Sequence, residues 1–262
     1  MFRAPRPVFY GLHARSRALV TFLDLRIEWL LACWLAVVVA LGLAKVLAAP
    51  IPPVSFLVFM AGMLPYLLLA LSPIAGYRIA AGSFPKGLLS AQPIFRFCRY
   101  GSWRPLDPLA ARRSPAYGPA GFMTSLIVGI LLNVPFRSLE FILAMPAVLP
   151  GAPGWANSLM ILLTLDVVVM NFFYMVCFVL ALRSVPLFPR MMLFAWGLDL
   201  TMQLVIVDQV VAANAAPREV AFALHALAWG NIRKVLISAF VWLPYLILSE
   251  RVNVTFRQRV RA

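Results

Sequence analysis

Six long apolar stretches divide the sequence, and no other feature restricts its fold as much. Lipid offers backbone amides no hydrogen-bond partner, so only helices or closed barrels cross a bilayer, and a core about 30 Å thick takes roughly 20 helical residues. The stretches lie at about residues 29–49, 54–77, 119–136, 157–182, 191–213 and 235–249. Such continuous runs predict an all-α fold, a polytopic membrane helix bundle of about six transmembrane helices. Composition agrees: 63% of the 262 residues are hydrophobic and 12% are charged, against about a quarter charged in soluble domains. Six spans leave no room for a sizeable soluble domain.

The net charge of +14 would suggest nucleic acid if the bases were gathered on a soluble surface. Here they sit between apolar runs, where bilayers with anionic headgroups and membrane topology select them. Eighteen of the 23 Lys and Arg fall in the N-terminal segment, the loop beginning at Arg78, the 183–190 connection and the C-terminal tail. The opposite connections at 50–53 and 149–156 carry none, and 214–234 adds Arg218, Arg233 and Lys234. The positive-inside rule then places both termini in the cytoplasm.

Along the chain, residues 1–27 form a basic N-terminal segment whose part 19–27 could lie on the membrane as a short amphipathic helix. Two helices follow within 28–77. The Ala48-Ala49-Pro50 ending of the first suggests a signal-peptidase site, but the preceding positive region is too long, and the helix is expected to be retained. Pro65 and Pro73 should bend the second. The segment 78–118 reads as a basic cytoplasmic loop, with Phe84, Phe95, Phe97, Tyr100 and Trp103 among its bases. Residues 119–256 form a four-helix membrane domain, and 257–262 a basic tail. Its first helix has two readings: straight through to Val148, or ending near Phe136 after Pro135, with 141–149 in the outer interface. Eighteen residues already cross, which favours the second. Residues 214–229, with Pro217 near the first turn and Gly230 at the end, read as an interfacial helix or an outward extension of the last span.

Ionisable groups at membrane depth cost roughly 2.5–3.5 kcal/mol each on insertion scales, so Asp166, Asp199 and Asp208 need a reason. Asp166 lies about 14 Å below the outer end of its span, and Asp199 about 18 Å from the same side. Antiparallel packing of the two helices would let both face one cavity, with Gln203 one turn beyond Asp199 on its face. Asp166, Asn171, Asp199 and Gln203 therefore form the candidate intramembrane site. Two close carboxylates could share a proton or bind a cation; the plainer reading is interhelical hydrogen bonding worth about 0.6 kcal/mol each. Arg137, Glu140, Asp208, Arg233 and Lys234 are expected to make interfacial ion pairs near the outer end.

Catalytic signals are lacking. Gly197-Leu198-Asp199 departs from intramembrane aspartyl proteases, which need glycine directly before the aspartate. No Gly-rich phosphate loop, GxSxG, HExxH or dinucleotide fingerprint occurs. Cys33, Cys98, Cys177, His13 and His225 are scattered, giving no expectation of a metal or cofactor.

At the C-terminal end, Trp242-Leu243-Pro244-Tyr245 is followed by Ser249-Glu250-Arg251-Val252-Asn253-Val254-Thr255-Phe256. This resembles a membrane family catalogued as domain of unknown function 2569, whose last span closes with Trp-x-Pro-Tyr and a Ser-x-Arg-Val-Lys-x-Thr-Phe tail; Arg183-Ser184-Val185-Pro186 resembles its basic turn between middle helices. Trp242, Pro244, Tyr245, Ser249, Arg251, Val252, Thr255 and Phe256 carry the likeness, and Asn253 replaces the usual Lys. The resemblance implies a four-helix unit over about 119–256, with two spans added, in a bacterial plasma membrane, and supplies no activity. In physical terms, Val252, Val254 and Phe256 should rest on the interface while Arg257, Arg259 and Arg261 meet lipid phosphates.

These features favour a non-enzymatic accessory or scaffold subunit of a membrane assembly, docking to a membrane-protein partner. The alternative is a small proton- or ion-coupled transporter using Asp166 and Asp199.

Overall fold

The computed structural model describes residues 7–49, 52–87, 91–93, 100–147, 152–212 and 217–262. Among them are eight helices and two short strands, in the order α1 (Pro7–Leu47), α2 (Phe56–Ser83), β1 (Trp103–Pro105), α3 (Pro108–Arg113), α4 (Phe122–Ala144), α5 (Gly154–Leu182), α6 (Phe188–Ala212), α7 (Arg218–Leu248), α8 (Glu250–Arg257) and β2 (Arg259–Arg261). Six of the helices are long and apolar enough to cross a membrane. The chain is an integral membrane protein with a six-helix bundle.

The separate amphipathic helix expected at 19–27 does not form; α1 continues through it for 41 residues, about 60 Å. The reason is a stripe of Leu23, Ile27 and Leu31, buried at four-residue spacing in the bundle core. Asp24 and Glu28, also four apart and so on one face, meet Lys86 at 2.7 Å and Arg78 at 2.7 Å. That face therefore stays upright against the end of α2. Further along, Trp34 Nε1 donates to Ala70 O at 3.1 Å.

Pro65 and Pro73 lie inside an unbroken α2, whose first turn is capped by Ser55 Oγ accepting from Val58 N. α2 approaches α5 so closely that a Cβ at Gly76 would sit 2.6 Å from Phe172 O. Ser72 Oγ donates to Val168 O at the same crossing. α5 is the central element: it packs against α2, α4 and α6, and 67% of its apolar window is buried. It ends in a Schellman turn, with Val185 N bonded to Leu180 O and Ser184 N to Ala181 O. Ser184 takes the left-handed position at φ 56, where glycine is usual. Arg183 Nη1 donates to Ala81 O and Phe84 O at 2.6 Å each, tying this turn to the end of α2.

α4 overturns the shorter reading of the third span. It runs through Pro135 to Ala144, because Val134, Ser138, Phe141 and Ile142 carry its buried stripe across the proline. Neighbouring helices make such a proline tolerable. Residues 141–144 therefore belong to the helix, and 148–151 lie outside the described residues. In the same way, 218–229 are continuous with the last span and not a separate helix; 213–216 are not described.

Four helices form an incomplete ring: α4 touches α5, α5 touches α6, and α6 touches α7. α1 and α2 cover the other side of α4 and α5. The seam between α4 and α7 closes at one end through Phe122, whose ring lies tilted 4.9 Å from Trp242 and edge-to-face 5.1 Å from Tyr245. At the other end, Lys234 pairs with Glu140.

The basic end is more organised than a loop. β1 and β2 pair antiparallel, with Trp103 opposite Arg261 and Pro105 opposite Arg259, so the C-terminal tail is held in a sheet. Arg259 lies over the Trp103 ring at 4.9 Å, and Asp107 caps α3 by accepting from Leu109 N and Ala110 N. Gly118, in the left-handed region at φ 93, donates its N–H to Thr255 Oγ1 at 3.0 Å. Gly121 N donates to Ser16 Oγ at 2.9 Å, joining α1 to the start of α4. Residues 94–99, which include Phe95, Phe97 and Cys98, are not described.

α8 corrects the expected fate of the tail. Val252, Val254 and Phe256 are fully buried in protein, with Phe256 5.0 Å from the Phe188 ring. Arg257 and Arg259 donate to Asn253 Oδ1 at 3.1 and 2.8 Å, while Asn253 Nδ2 donates to the Ile247 and Ser249 carbonyls. Asn253 is thus the acceptor that gathers two arginines, a task the lysine of the resembling tail could not perform.

Candidate functional site

α4, α5 and α6 each bring one charge to the middle of the bundle. Helical side chains lean toward their own N-terminus. Because α4 and α5 run in opposite directions, Arg137 leans toward the basic end as Asp166 leans away from it, and the two converge. Arg137 Nη2 lies 2.8 Å from both Asp166 oxygens, and Nη1 lies 2.9 Å from Asp199 Oδ2. All three side chains are buried, with 8%, 4% and 0% of their surface exposed. Arg137 is therefore a core residue and not an interfacial one, and it pairs with neither Glu140 nor Asp208.

Neutral donors complete the cluster. Gln203 Nε2 donates to both oxygens of Asp166 at 3.1 Å, and Tyr174 O–H donates to Asp199 Oδ2 at 2.7 Å. Asn231, on α7, reaches Gln203 Oε1 at 3.4 Å. Asn171 stands apart: its amide donates to Ser138 Oγ at 2.8 Å, and Ser138 in turn to Val134 O. The sequence-derived set is thus split, with Asp166, Asp199 and Gln203 together and Asn171 in a separate α4–α5 bond.

One guanidinium faces two carboxylates, so with both ionised the cluster carries a net charge of −1. Asp199 Oδ1 is buried and has no hydrogen-bond partner among the described residues. A bare buried carboxylate oxygen is costly, and a proton or cation there would complete the cluster. Asp199, Arg137 and Tyr174 also line a cleft of about 460 Å³ in the α4–α7 seam, with Asn133, Asn231 and Ser238 on its walls. Behind Arg137, beside Asp166 and Gln203, is a space of about 30 Å³, enough to hold a water.

At the rim, Glu140 pairs with Lys234 and not with Arg137. Asp208 and Arg233 are exposed and make no ion pair among the described residues, because each points off the bundle surface. No group of three or more metal-ligating side chains occurs among the described residues. Of the C-terminal motif, Trp242 and Tyr245 close the seam, Pro244 sits inside α7, Ser249 ends it, and Val252, Thr255 and Phe256 anchor α8. Arg251 donates to the Tyr117 and Gly118 carbonyls.

Sequence reasoning named Arg137 but set it at the interface, and it missed Tyr174. The first had a signal in two deep aspartates without a cation; the second, eight residues after Asp166, lies on the same helical stripe. Comparison with family models, curated proteins and solved structures gives no match for this chain.

Proposed function

We propose that the protein is a small proton-linked membrane carrier, with the Arg137, Asp166 and Asp199 cluster as its proton site and the α4–α7 cleft as the place where its substrate binds. One observation carries this reading: Asp199 Oδ1, buried and unpartnered in a cluster short of one positive charge, belongs to a residue lining a cleft of about 460 Å³. The space fits a small molecule. A proton suits the excess charge better than a hydrated ion, since the Asp199 side chain is fully buried and a hydrated ion would have to shed its water to reach it. The same reading is non-enzymatic and puts the protein in a bacterial plasma membrane, basic end in the cytoplasm, as the charge distribution and the family resemblance imply. The test is reconstitution of wild type and Asp199→Asn, with charge displacement on a solid-supported membrane recorded during pH jumps across a panel of small solutes. Wild type should respond to at least one solute and Asp199→Asn to none. Identical traces from both proteins for every solute would reject the carrier.

A second reading, an accessory or scaffold subunit, is favoured by the folded basic end, where β1, β2, α3 and α8 make an ordered basic surface suited to a membrane-protein partner. Purification in mild detergent as a monomer with nothing bound would reject it.

A further inference from the structure

The basic end holds another cavity, about 480 Å³, which neither Asp166 nor Asp199 lines. It is bounded by Thr21 and Leu25 of α1, Lys86 beyond α2, Arg112 of α3, and Arg183 and Ser184 of the α5–α6 turn. We infer that this hollow binds the phosphate headgroup of an anionic phospholipid.

The first argument is charge. Lys86, Arg112 and Arg183 face one acid, Asp24, which pairs with Lys86 at 2.7 Å. Arg112 donates to Gly87 O at 2.9 Å, and Arg183 to Ala81 O and Phe84 O. A carbonyl orients a guanidinium without cancelling its charge, so the hollow keeps a surplus of fixed positive charge suited to phosphate. Arg251 donates to the carbonyls of Tyr117 and Gly118 behind the same rim. Burial, opposed by Tyr245 and reinforced by Arg17, holds the Arg251 guanidinium below its usual value.

The second argument is position. Leu25 precedes Trp29 by one turn, about 6 Å along α1, and Trp29 is 67% exposed, as in the aromatic belt at a membrane surface. The hollow therefore lies at headgroup level. Its wall also contains Val20, Leu25 and Leu182, apolar surface that a lipid's glycerol and upper chains would cover and a soluble phosphate would leave bare.

The inference does not depend on the carrier reading. It is tested on the purified full chain by native mass spectrometry, titrating phosphatidylglycerol and phosphatidylcholine. Arg183 is left intact because it ties α2 to α5. Wild type should bind phosphatidylglycerol at least about tenfold more tightly than phosphatidylcholine, and Lys86→Gln with Arg112→Gln should remove most of that preference. Thr21→Glu, which adds a carboxylate without removing any contact, should do the same. Arg15→Gln with Arg104→Gln, an equal charge loss outside the hollow at the same end, should leave it intact. Equal loss in that control, or full binding by Thr21→Glu, would overturn the site. Displacement of phosphatidylglycerol by equimolar inorganic phosphate would overturn the lipid in favour of a soluble ligand.

Discussion

Replacing Arg137 with methionine tests whether the buried cluster holds the bundle together. The guanidinium makes two contacts of 2.8 Å to Asp166 and one of 2.9 Å to Asp199, and methionine fills much of its volume without charge. The two carboxylates would then keep only neutral partners, Gln203 at 3.1 Å and Tyr174 at 2.7 Å. Removing one member of a buried ion pair costs about 3–5 kcal/mol, chiefly because charge is left stranded. Arg137→Met should therefore lose about that much. The triple variant Arg137→Met, Asp166→Asn, Asp199→Asn strands no charge and gives up only hydrogen bonds, which in membranes average about 0.6 kcal/mol; it should lie within about 2 kcal/mol of wild type. The assay is equilibrium unfolding in mixed micelles with rising sodium dodecyl sulfate, followed by tryptophan fluorescence. An Arg137→Met loss below about 1 kcal/mol, or a triple variant no more stable than Arg137→Met, would refute the argument.

In the same assay, Gly76→Ala should lose about 1–3 kcal/mol, since its Cβ would press on Phe172 O at 2.6 Å, whereas Gly197→Ala, which meets nothing within 4 Å, should gain about 0.5–1 kcal/mol. Ser184→Gly should stabilise by about 0.5–1 kcal/mol, because φ 56 strains a residue with a side chain. Asn253→Lys would replace the acceptor for Arg257 and Arg259 with a third cation. It should release the C-terminal strand, read as faster tryptic cleavage after Arg257, with the six helices unchanged in far-ultraviolet circular dichroism.

The bundle was legible because lipid makes apolar length a direct requirement: the spans around Asp166 and Asp199 begin and end within three residues of their expected positions. Depth counting also brought Asp166, Asp199 and Gln203 together. What failed was the treatment of Pro135 as a terminator. In water a proline at that position argues for an end, but α5 lies along α4 on both sides of it, and once α4 is cut short Arg137 falls outside the core. The C-terminal segment failed for a different reason. Arg257, Arg259 and Arg261 resemble any membrane-flanking bases in sequence, and only the pairing of β2 with residues more than 150 positions earlier shows that they build a surface of their own.

The central helix α5 separates two things that hydropathy usually merges. It is more apolar than α7, yet 67% of its window is buried in protein against 17% for α7. Much of that greasiness never touches lipid in the finished molecule. A helix must enter the bilayer before its neighbours surround it, and α5 does so carrying Asp166 and Asn171, whose entry penalty the other residues have to offset. Its leucines and valines therefore record a condition of biosynthesis as much as one of the folded state. Polar substitutions in α5 should fail first at insertion, before packing is ever tried.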